Sequence, residues 1–342
     1  MATGLVTTTR ITHATPAVFA SHNITRNDEN GIAADYVDSN VDYLAGGGYR
    51  HFVGKDSGLT SKRKDDRDLM NEFKDKGYQV FLGEDSIKDF KKWSPKEGEK
   101  SIATFKASHM PYTIDDKDEN YPTLKEMTDK GIALLSKDKD GFFMMIEGGR
   151  IDHASHAQDV AGVIYDTIAF DEAIKSAYEF YEKHPEDTLI VVAADHETGG
   201  MGLGFGNNYY MKLDELKDVK VSIEDTLQNV YKGDKNGYFK YIEENFGLKD
   251  LNDKERDSIL KAMEVEDNKE DVGDTFGGYS PTAIAVAHIV SERAGMQWTT
   301  FAHTGVQVPL AVIGNDAEKF TGFKDNTDVA KSIASSMGKE IK

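Results

Sequence analysis

Residues 141–156 of the 342-residue chain read GFFMMIEGGRIDHASH, and this stretch decides the fold class. The unbroken apolar run at 142–146 is typical of a strand that is covered on both faces of a parallel sheet. Gly148 and Gly149 allow the backbone to turn sharply directly after Glu147. The block therefore predicts a buried strand whose carboxyl end opens into a turn, and ligands of α/β proteins collect at such ends.

Two ligand-type side chains follow this turn. If a helix begins near Ile151, Asp152 and His156 project from one helix face at i, i+4 spacing, as two ligands of one metal ion must. A plain helix start, with an acidic first turn and an exposed histidine, fits these residues equally well. The spacing alone therefore leaves metal binding and a solvated helix end both open.

Strand-like runs alternate with helix-like segments along the rest of the chain. Further strands are predicted at 4–9, 41–48, 78–84, 188–196 and 308–316. This alternation predicts an α/β fold, a three-layer sandwich with a mostly parallel central sheet flanked by helices. We predict one domain over 1–342, with a helical surface insertion at about 209–274, where the sequence is rich in Lys, Asp and Glu.

The composition limits the classes of partner and metal ligand that the protein can use. There are 60 acidic and 41 basic residues, which give a formal net charge of −19 and disfavour nucleic acid or an anionic membrane as a partner. No apolar run is long enough to span a bilayer, and the first residues show no signal peptide pattern. Cysteine is absent from the sequence, so a metal site must use His and carboxylate ligands.

Two more polar motifs follow predicted strands or helices. VVAADHETGG at 191–200 places Asp195 and His196 at a strand end, although a simple polar loop also fits. TFAHTG at 300–305 places His303 in a short turn, which is a weak signal alone. The combined candidates all lie at junctions between elements: Glu147, Asp152, His156, Asp195, His196 and His303. Such a set predicts a two-metal clamp, with ions roughly 4 Å apart, acting on a phosphoryl-type centre.

Five segments, in this order, resemble the alkaline phosphatase family of periplasmic and secreted metalloenzymes. They are THATPAVFASHNITR at 12–26, VDYLAGGGYRHF at 41–52, the block at 123–156, AADHETGG at 193–200 and FAHTG at 301–305. The resemblance covers almost the whole chain apart from the predicted insertion. It implies an alkaline-phosphatase-like sandwich, hydrolysis of small phosphate monoesters, and a periplasmic or secreted location for the full-length protein. It also allows a homodimer.

The resemblance implies a site with two zinc ions and one magnesium ion. The implied zinc ligands are Asp152, His156 and His303 for the first ion, and Asp195 and His196 for the second. The implied magnesium ligands are Glu147 and Thr15. His13 and His153 stand where family members vary, and they are expected to tune the third metal and the phosphate-bound water.

Arg26 is the implied catalytic and substrate-binding residue, because its planar fork matches phosphate oxygens, and His153 is its implied partner in substrate binding. Five other histidines match no ligand position and are interpreted as structural or surface residues: His22, His51, His109, His184 and His288.

The family mechanism also uses a Ser nucleophile, and an Asp that bridges the second zinc and the magnesium. Both precede the segment at 12–26 in the family, and the fourteen residues before Thr15 match neither. We therefore expect an N-terminally truncated chain, the carboxyl-terminal part of an alkaline phosphatase, with slight activity. We also expect residues 4–9 to form a strand inside a larger sheet, with the absent sheet and helix packed against it.

Two alternatives stay open. One is a non-catalytic remnant that binds metal or phosphate without turnover. The other is a sulfatase or phosphodiesterase of the same superfamily. Arg26 and the segment at 13–16 favour phosphate monoesters over sulfate esters and phosphodiesters as substrates.

Overall fold

A parallel sheet forms the centre of the protein in the computed structural model, which describes residues 1–341. The strands are β1 (Ala2–Arg10), β2 (Tyr43–Gly47), β3 (Tyr78–Leu82), β4 (Lys100–Thr104), β5 (Phe142–Glu147), β6 (Leu189–Ala193), β7 (Glu197–Thr198), β8 (His303–Thr304) and β9 (Leu310–Gly314). Five strands form one sheet in the order β3-β4-β2-β1-β5, and all its pairs are parallel. β6 pairs with β9, and β7 with β8, both antiparallel.

β1 lies in the interior of the five-stranded sheet. It pairs with β2, with Leu5 opposite Leu44, and with β5, with Val6 opposite Ile146. The prediction of a buried strand at 4–9 is confirmed. The expectation that this strand lies inside a sheet is also confirmed, and because both edges of β1 are hydrogen-bonded, no further strand can adjoin it. The two edge strands of this sheet within residues 1–341 are β3 and β5.

Helices connect and cover the strands. They are α1 (Ala14–Ala17), α2 (Glu29–Asp38), α3 (Leu69–Asp75), α4 (Ile87–Lys92), α5 (Leu124–Leu135), α6 (Arg150–His156), α7 (Val160–Tyr181), α8 (Lys235–Phe246), α9 (Asp253–Asn268), α10 (Pro281–Arg293) and α11 (Asn326–Ser336). None of the helices within residues 1–341 is both long and apolar enough to cross a membrane.

The two faces of the sheet carry separate apolar clusters. Leu5 and Leu44 pack with α2 and α3, whereas their neighbours Val6 and Ala45 pack with α4 and α5. This division follows from the pleat, because successive side chains of a strand point to opposite faces. The fold is therefore a parallel sheet of five strands between two helical layers, as the alternation of elements predicts.

Side-chain caps fix the helices on either side of β5. Thr123 and Glu126 form a reciprocal capping box at the start of α5. Asp159 caps α7 by accepting a hydrogen bond of 2.9 Å from the Gly162 N–H. It also accepts one of 2.9 Å from the Ile223 N–H, so the α7 start is tied to the segment at 209–274.

The segment at 209–274 contributes to a large apolar core. Its buried side chains include Ile223, Tyr238 and Ile242, which belong to one cluster with residues of α6, α7 and α10. The segment contains α8 and α9, together with shorter turns. That the segment is an insertion within a single domain stays a prediction. Its buried side chains pack against α6.

We expect stability to depend on pH through Asp166, a carboxyl in α7 that is only 3% exposed. It accepts hydrogen bonds of 3.3 Å from the N–H and the hydroxyl of Thr113, and burial raises its pKa to about 7 from 3.8. The folded state therefore holds this proton more tightly than the unfolded state. Between these two pKa values the carboxyl is ionised in the unfolded state and protonated in the folded state. The free energy of unfolding therefore falls by up to about 1.4 kcal/mol for each pH unit of increase.

Asp166→Asn removes this contribution. The wild type should therefore lose stability relative to the variant as the pH rises from 5 to 8. Urea unfolding at both pH values measures the difference, and Asp171→Asn, an exposed carboxyl of the same helix, is the matched control. A difference between wild type and Asp166→Asn that does not change with pH would contradict the account.

Candidate active site

The candidate residues come from distant parts of the sequence and line one cavity. Its volume is about 1710 Å³. The sequence-predicted residues that line it are His13, Thr15, Arg26, Glu147, Asp152, His153, His156, Asp195, His196 and His303. Glu147 ends β5 and Asp195 closely follows β6, so the site lies where these strands end.

The turn from β5 into α6 depends on glycine. A Cβ atom at Gly149 would lie 2.4 Å from the Cγ2 atom of Thr9 and 2.9 Å from the carboxyl carbon of Glu147. Such contacts are far inside van der Waals distance, so only glycine lets the chain pass this close to β1. The close passage allows α6 to begin at Arg150 and to present Asp152 and His156 to the cavity.

Asp152, His156 and His303 form a compact cluster. The Oδ1 atom of Asp152 lies 3.4 Å from Nε2 of His156 and 3.8 Å from Nε2 of His303. The two Nε2 atoms are 3.3 Å apart, and the three ligand atoms all lie within 4.8 Å of one another. One cation could therefore contact all three side chains.

Neighbouring groups orient the members of this cluster. His156 donates from Nδ1 to the Phe301 carbonyl at 2.6 Å, which leaves Nε2 free to bind a metal. The Thr198 hydroxyl donates to Oδ1 of Asp152 at 2.6 Å. The sequence reasoning did not single out Thr198, although it stands two residues after His196 in the motif at 191–200.

Asp195 and His196 lie beside the cluster rather than inside it. Asp195 Oδ2 is 3.3 Å from Nε2 of His196. The His196 ring stacks on the His303 ring with centroids 3.6 Å apart. Partial desolvation and the neighbouring His196 lower the pKa of His303, which favours the neutral imidazole that metals bind. The geometry provides a second pair of ligands next to the first three.

Glu147 lies among hydroxyl groups. It accepts hydrogen bonds from Thr7 at 2.6 Å and from Thr9 at 3.3 Å, both on β1. Burial raises the pKa of Glu147, and hydroxyl donors that include Thr15 offset this only in part. The carboxyl is therefore a site where a bound cation would stabilise the ionised form.

Three histidines form a second cluster around the other wall of the cavity. The ring of His153 lies 4.4 Å from that of His109 and 5.3 Å from that of His13, centroid to centroid. Burial, followed by neighbouring arginines, lowers the pKa of His13 to about 4, and burial with Arg150 nearby lowers that of His153 to about 2. These imidazoles are therefore neutral. His109 matches no ligand position of the family and was interpreted from the sequence as a structural or surface residue, yet it packs within this cluster.

Arginines surround this histidine cluster. Nη2 of Arg26, an exposed residue, lies 2.9 Å from Nε2 of His13. Nη1 of Arg150 lies 2.9 Å from Nδ1 of His153. Arg10 donates to His109 from its guanidinium group and also to Glu29 at 2.6 Å. Of these three arginines, Arg26 is the one that lines the cavity, whereas Arg10 is paired with Glu29.

Arg150 connects the cavity to the segment at 209–274. Its side chain is completely buried, and its guanidinium carbon lies 3.6 Å from the centroid of the Tyr112 ring. It pairs with Glu224 at 3.3 Å and also with Asp225. Sequence reasoning missed these residues, because nothing in a surface-like acidic segment identifies which carboxylates turn inward.

Comparison with curated proteins gives long matches. Alkaline phosphatase 3 of Bacillus subtilis is 34% identical over 351 residues, which covers 100% of this chain and 69% of that protein. The repressible alkaline phosphatase of Saccharomyces cerevisiae is 30% identical, with 97% of this chain and 63% of that protein covered. The chain thus spans about two thirds of the length of these relatives.

Solved structures agree with these matches. Thermus thermophilus alkaline phosphatase superposes with a TM-score of 0.83 at 29% identity, over 100% of this chain and 72% of that chain. A cold-active alkaline phosphatase from Shewanella sp. gives 0.81 at 29% identity, over 98% and 75%. The family model for alkaline phosphatase matches residues 1–338. With this match over nearly its whole length, the chain belongs to the alkaline phosphatase family.

Proposed function

We propose that this protein hydrolyses phosphate monoesters at a site for two zinc ions and one magnesium ion. The observation that carries the proposal is the convergence of Asp152, His156 and His303 beside Asp195 and His196. Carboxylate and imidazole donors in this combination suit zinc. Membership of the alkaline phosphatase family supports the reaction class.

The first zinc would bind to Asp152, His156 and His303. Three protein ligands with an open fourth position are the arrangement of catalytic zinc sites. His156 supports this assignment, since its Nδ1 is committed to the Phe301 carbonyl and its Nε2 remains available. The second zinc would take Asp195 and His196 from the adjoining turn.

Magnesium would bind near Glu147 and Thr15. Magnesium prefers oxygen ligands, and the carboxyl of Glu147 is surrounded by threonine hydroxyls. A buried carboxylate without a cation is unfavourable, as the raised pKa of Glu147 indicates. His13 would stand at the edge of this third site.

Bound zinc ions would stabilise the attacking and leaving oxygens of a phosphoryl group. Arg26 would bind the phosphate oxygens through its planar guanidinium group, and it would be held by Nε2 of His13. His153, a neutral imidazole beside Arg150, would orient the phosphate or its bound water. Among the serines that line the cavity, Ser155 donates its hydroxyl back to the Ile151 carbonyl at 2.9 Å, which leaves it poorly placed as a nucleophile.

The slight activity expected from the sequence stays a prediction, as do export to the periplasm or medium and a homodimer. A small phosphomonoester is the proposed substrate. A non-catalytic metal-binding protein is the alternative, because the metal cluster could form without turnover.

The function is tested by assaying the purified chain with p-nitrophenyl phosphate in zinc and magnesium. We expect slow hydrolysis that stops when a chelator is added, returns with zinc, and is lost in His156→Ala. His22→Ala, which changes a histidine outside the cavity, should behave as wild type.

Two other results would overturn parts of this proposal. Preference for p-nitrophenyl sulfate or bis(p-nitrophenyl) phosphate would indicate a sulfatase or a phosphodiesterase. Zinc binding by calorimetry without any metal-dependent hydrolysis would favour the non-catalytic alternative.

Thr198 should raise the zinc affinity of the first site by orienting Asp152. We expect Thr198→Val to weaken zinc binding about 10-fold, the lower end of the range for partners of metal ligands. Thr198→Ser keeps the hydroxyl and should bind as wild type. Competition against a fluorescent chelator measures both affinities, and equal affinity of the valine variant would refute the role of this hydrogen bond.

Magnesium binding should become tighter as the pH rises. Since burial raises the pKa of Glu147, its carboxyl must release a proton before it binds the ion, and higher pH removes this cost. Calorimetry in two buffers of different ionisation enthalpy should detect the released proton, and Glu147→Gln should abolish both the release and the pH dependence. Proton release that persists in Glu147→Gln would assign it to another group.

A further inference from the structure

Arg150 is a buried cation that lies between His153 and the segment at 209–274. Its side chain is 1% exposed. The guanidinium places Nη1 at 2.9 Å from Nδ1 of His153 and at 3.3 Å from Oε2 of Glu224, and it pairs through Nη2 with Asp225. The chemistry proposed above gives no role to these two carboxylates. They nevertheless connect through a single side chain to the imidazole of a residue that lines the cavity.

The hydrogen bond between Arg150 and His153 can run in one direction only. A guanidinium carries N–H donors, has no acceptor and stays protonated. Nδ1 of His153 therefore accepts this hydrogen bond with its lone pair, and the proton of the neutral imidazole lies on Nε2. The opposite tautomer would need an acceptor for an Nδ1–H group. Oε2 of Glu224 lies 3.9 Å from Nδ1, which is beyond hydrogen-bond distance.

Two carboxylates from other parts of the chain fix the backbone just before Glu224. Asp115 accepts hydrogen bonds from the N–H and the hydroxyl of Ser222, at 2.8 and 2.6 Å. Asp159, which caps α7, accepts one of 2.9 Å from the Ile223 N–H. These contacts hold the chain against α7, so the acidic side chains that follow have a defined position.

Tyr112 packs on one face of the Arg150 guanidinium. The ring centroid lies 3.6 Å from the guanidinium carbon, within the range of a cation–π contact, and the tyrosine hydroxyl donates to Glu224. A buried guanidinium without its carboxylates would be strongly unfavourable and would turn toward water. Glu224, Asp225 and Tyr112 thus hold Arg150 against His153.

We propose that Arg150 is a positioning residue that keeps the proton of His153 on Nε2. Because His153 lines the cavity, this tautomer gives an anion in the cavity a hydrogen-bond donor, whereas the other tautomer would present a lone pair that repels an anionic oxygen. Glu224 and Asp225 fix Arg150, so the segment at 209–274 acts on the site through this chain of contacts. The tautomer follows from the geometry alone, and the binding of a phosphate anion rests on the proposed function.

The tautomer is measured by nuclear magnetic resonance on the full 342-residue chain, labelled with nitrogen-15 histidine and supplied with zinc and magnesium. Long-range proton–nitrogen spectra distinguish a ring nitrogen that carries a proton from one that does not, and His153→Asn identifies the signals. At pH 8 an ordinary histidine is neutral, so the spectra compare tautomers rather than charge states. We expect protonated Nε2 and bare Nδ1 in the wild type, and a mixture of both tautomers in Arg150→Met.

The consequence for anions is measured by calorimetry with inorganic phosphate. We expect Arg150→Met to weaken phosphate binding about 10-fold, the effect of losing one hydrogen bond to a charged group. Asp225→Asn, which leaves Arg150 in place with one carboxylate fewer, should weaken binding in the same direction and by less. Both measurements together separate positioning of His153 from a general loss of stability.

Arg63 and Asp65 provide matched controls outside the cavity. The Arg63 side chain is also 1% exposed, and it pairs at 2.6 Å with Asp65, which is 48% exposed compared with 44% for Asp225. Arg63→Met and Asp65→Asn remove an equivalent buried pair, and both should keep the wild-type tautomer of His153 and the wild-type phosphate affinity. Circular dichroism checks the folding of every variant.

The proposal is overturned by a wild-type His153 with its proton on Nδ1, by an unchanged tautomer in Arg150→Met, or by equal effects in the variants and their controls. If Arg150→Met does not fold, the comparison of Asp225→Asn with Asp65→Asn decides, and equal phosphate affinity of these two overturns the proposal. Absence of p-nitrophenyl phosphate hydrolysis beside the expected tautomers would count against the proposed function and not against the role of Arg150.

Discussion

The parallel pairing of β1 with β5 is the constraint on which the site depends. Its register sets Thr7 opposite Glu147 and brings the hydroxyls of Thr7 and Thr9 to one carboxyl. A slip of one residue would turn Glu147 to the other face of the sheet. The same pairing brings the backbone at Gly149 close to Thr9. This close approach directs α6 and its ligands toward the cavity.

Charge is divided across the cavity in a way that suits the proposed chemistry. Carboxylates and partly exposed imidazoles lie near Asp152 and Asp195, where cations would bind. Arginines surround neutral histidines near the other wall, where Arg26 is available to an anionic group and the buried Arg150 is paired with Glu224 and Asp225. The net charge of −19 describes the whole surface and does not predict this local arrangement. A phosphate ester placed between bound metals and Arg26 would meet positive charge on both sides.

Sequence reasoning located the ligands that lie within short motifs, because strand ends and helical spacing are local properties. Asp152 and His156 follow from the i, i+4 rule once a helix start is recognised at the glycines. Sequence reasoning missed Thr198, His109 and Arg150, because their roles depend on contacts with residues far away in the chain. Glu224 shows this most clearly, since its partners Arg150 and Tyr112 are brought to it only by the packing of the segment at 209–274.

The sequence by itself determined the family, the α/β class and the identity of the candidate ligands, because each is written in local patterns of apolar residues, glycines and polar motifs. The tertiary structure decided which strands have a partner on both edges and which have a partner on one edge. The segment at 4–9 has the composition of a buried strand, but so do β5 and β6, and composition cannot distinguish a strand with two partners from a strand with one. Pairing is a long-range choice, so only the folded chain showed β1 enclosed and β5 and β6 facing a shared cavity.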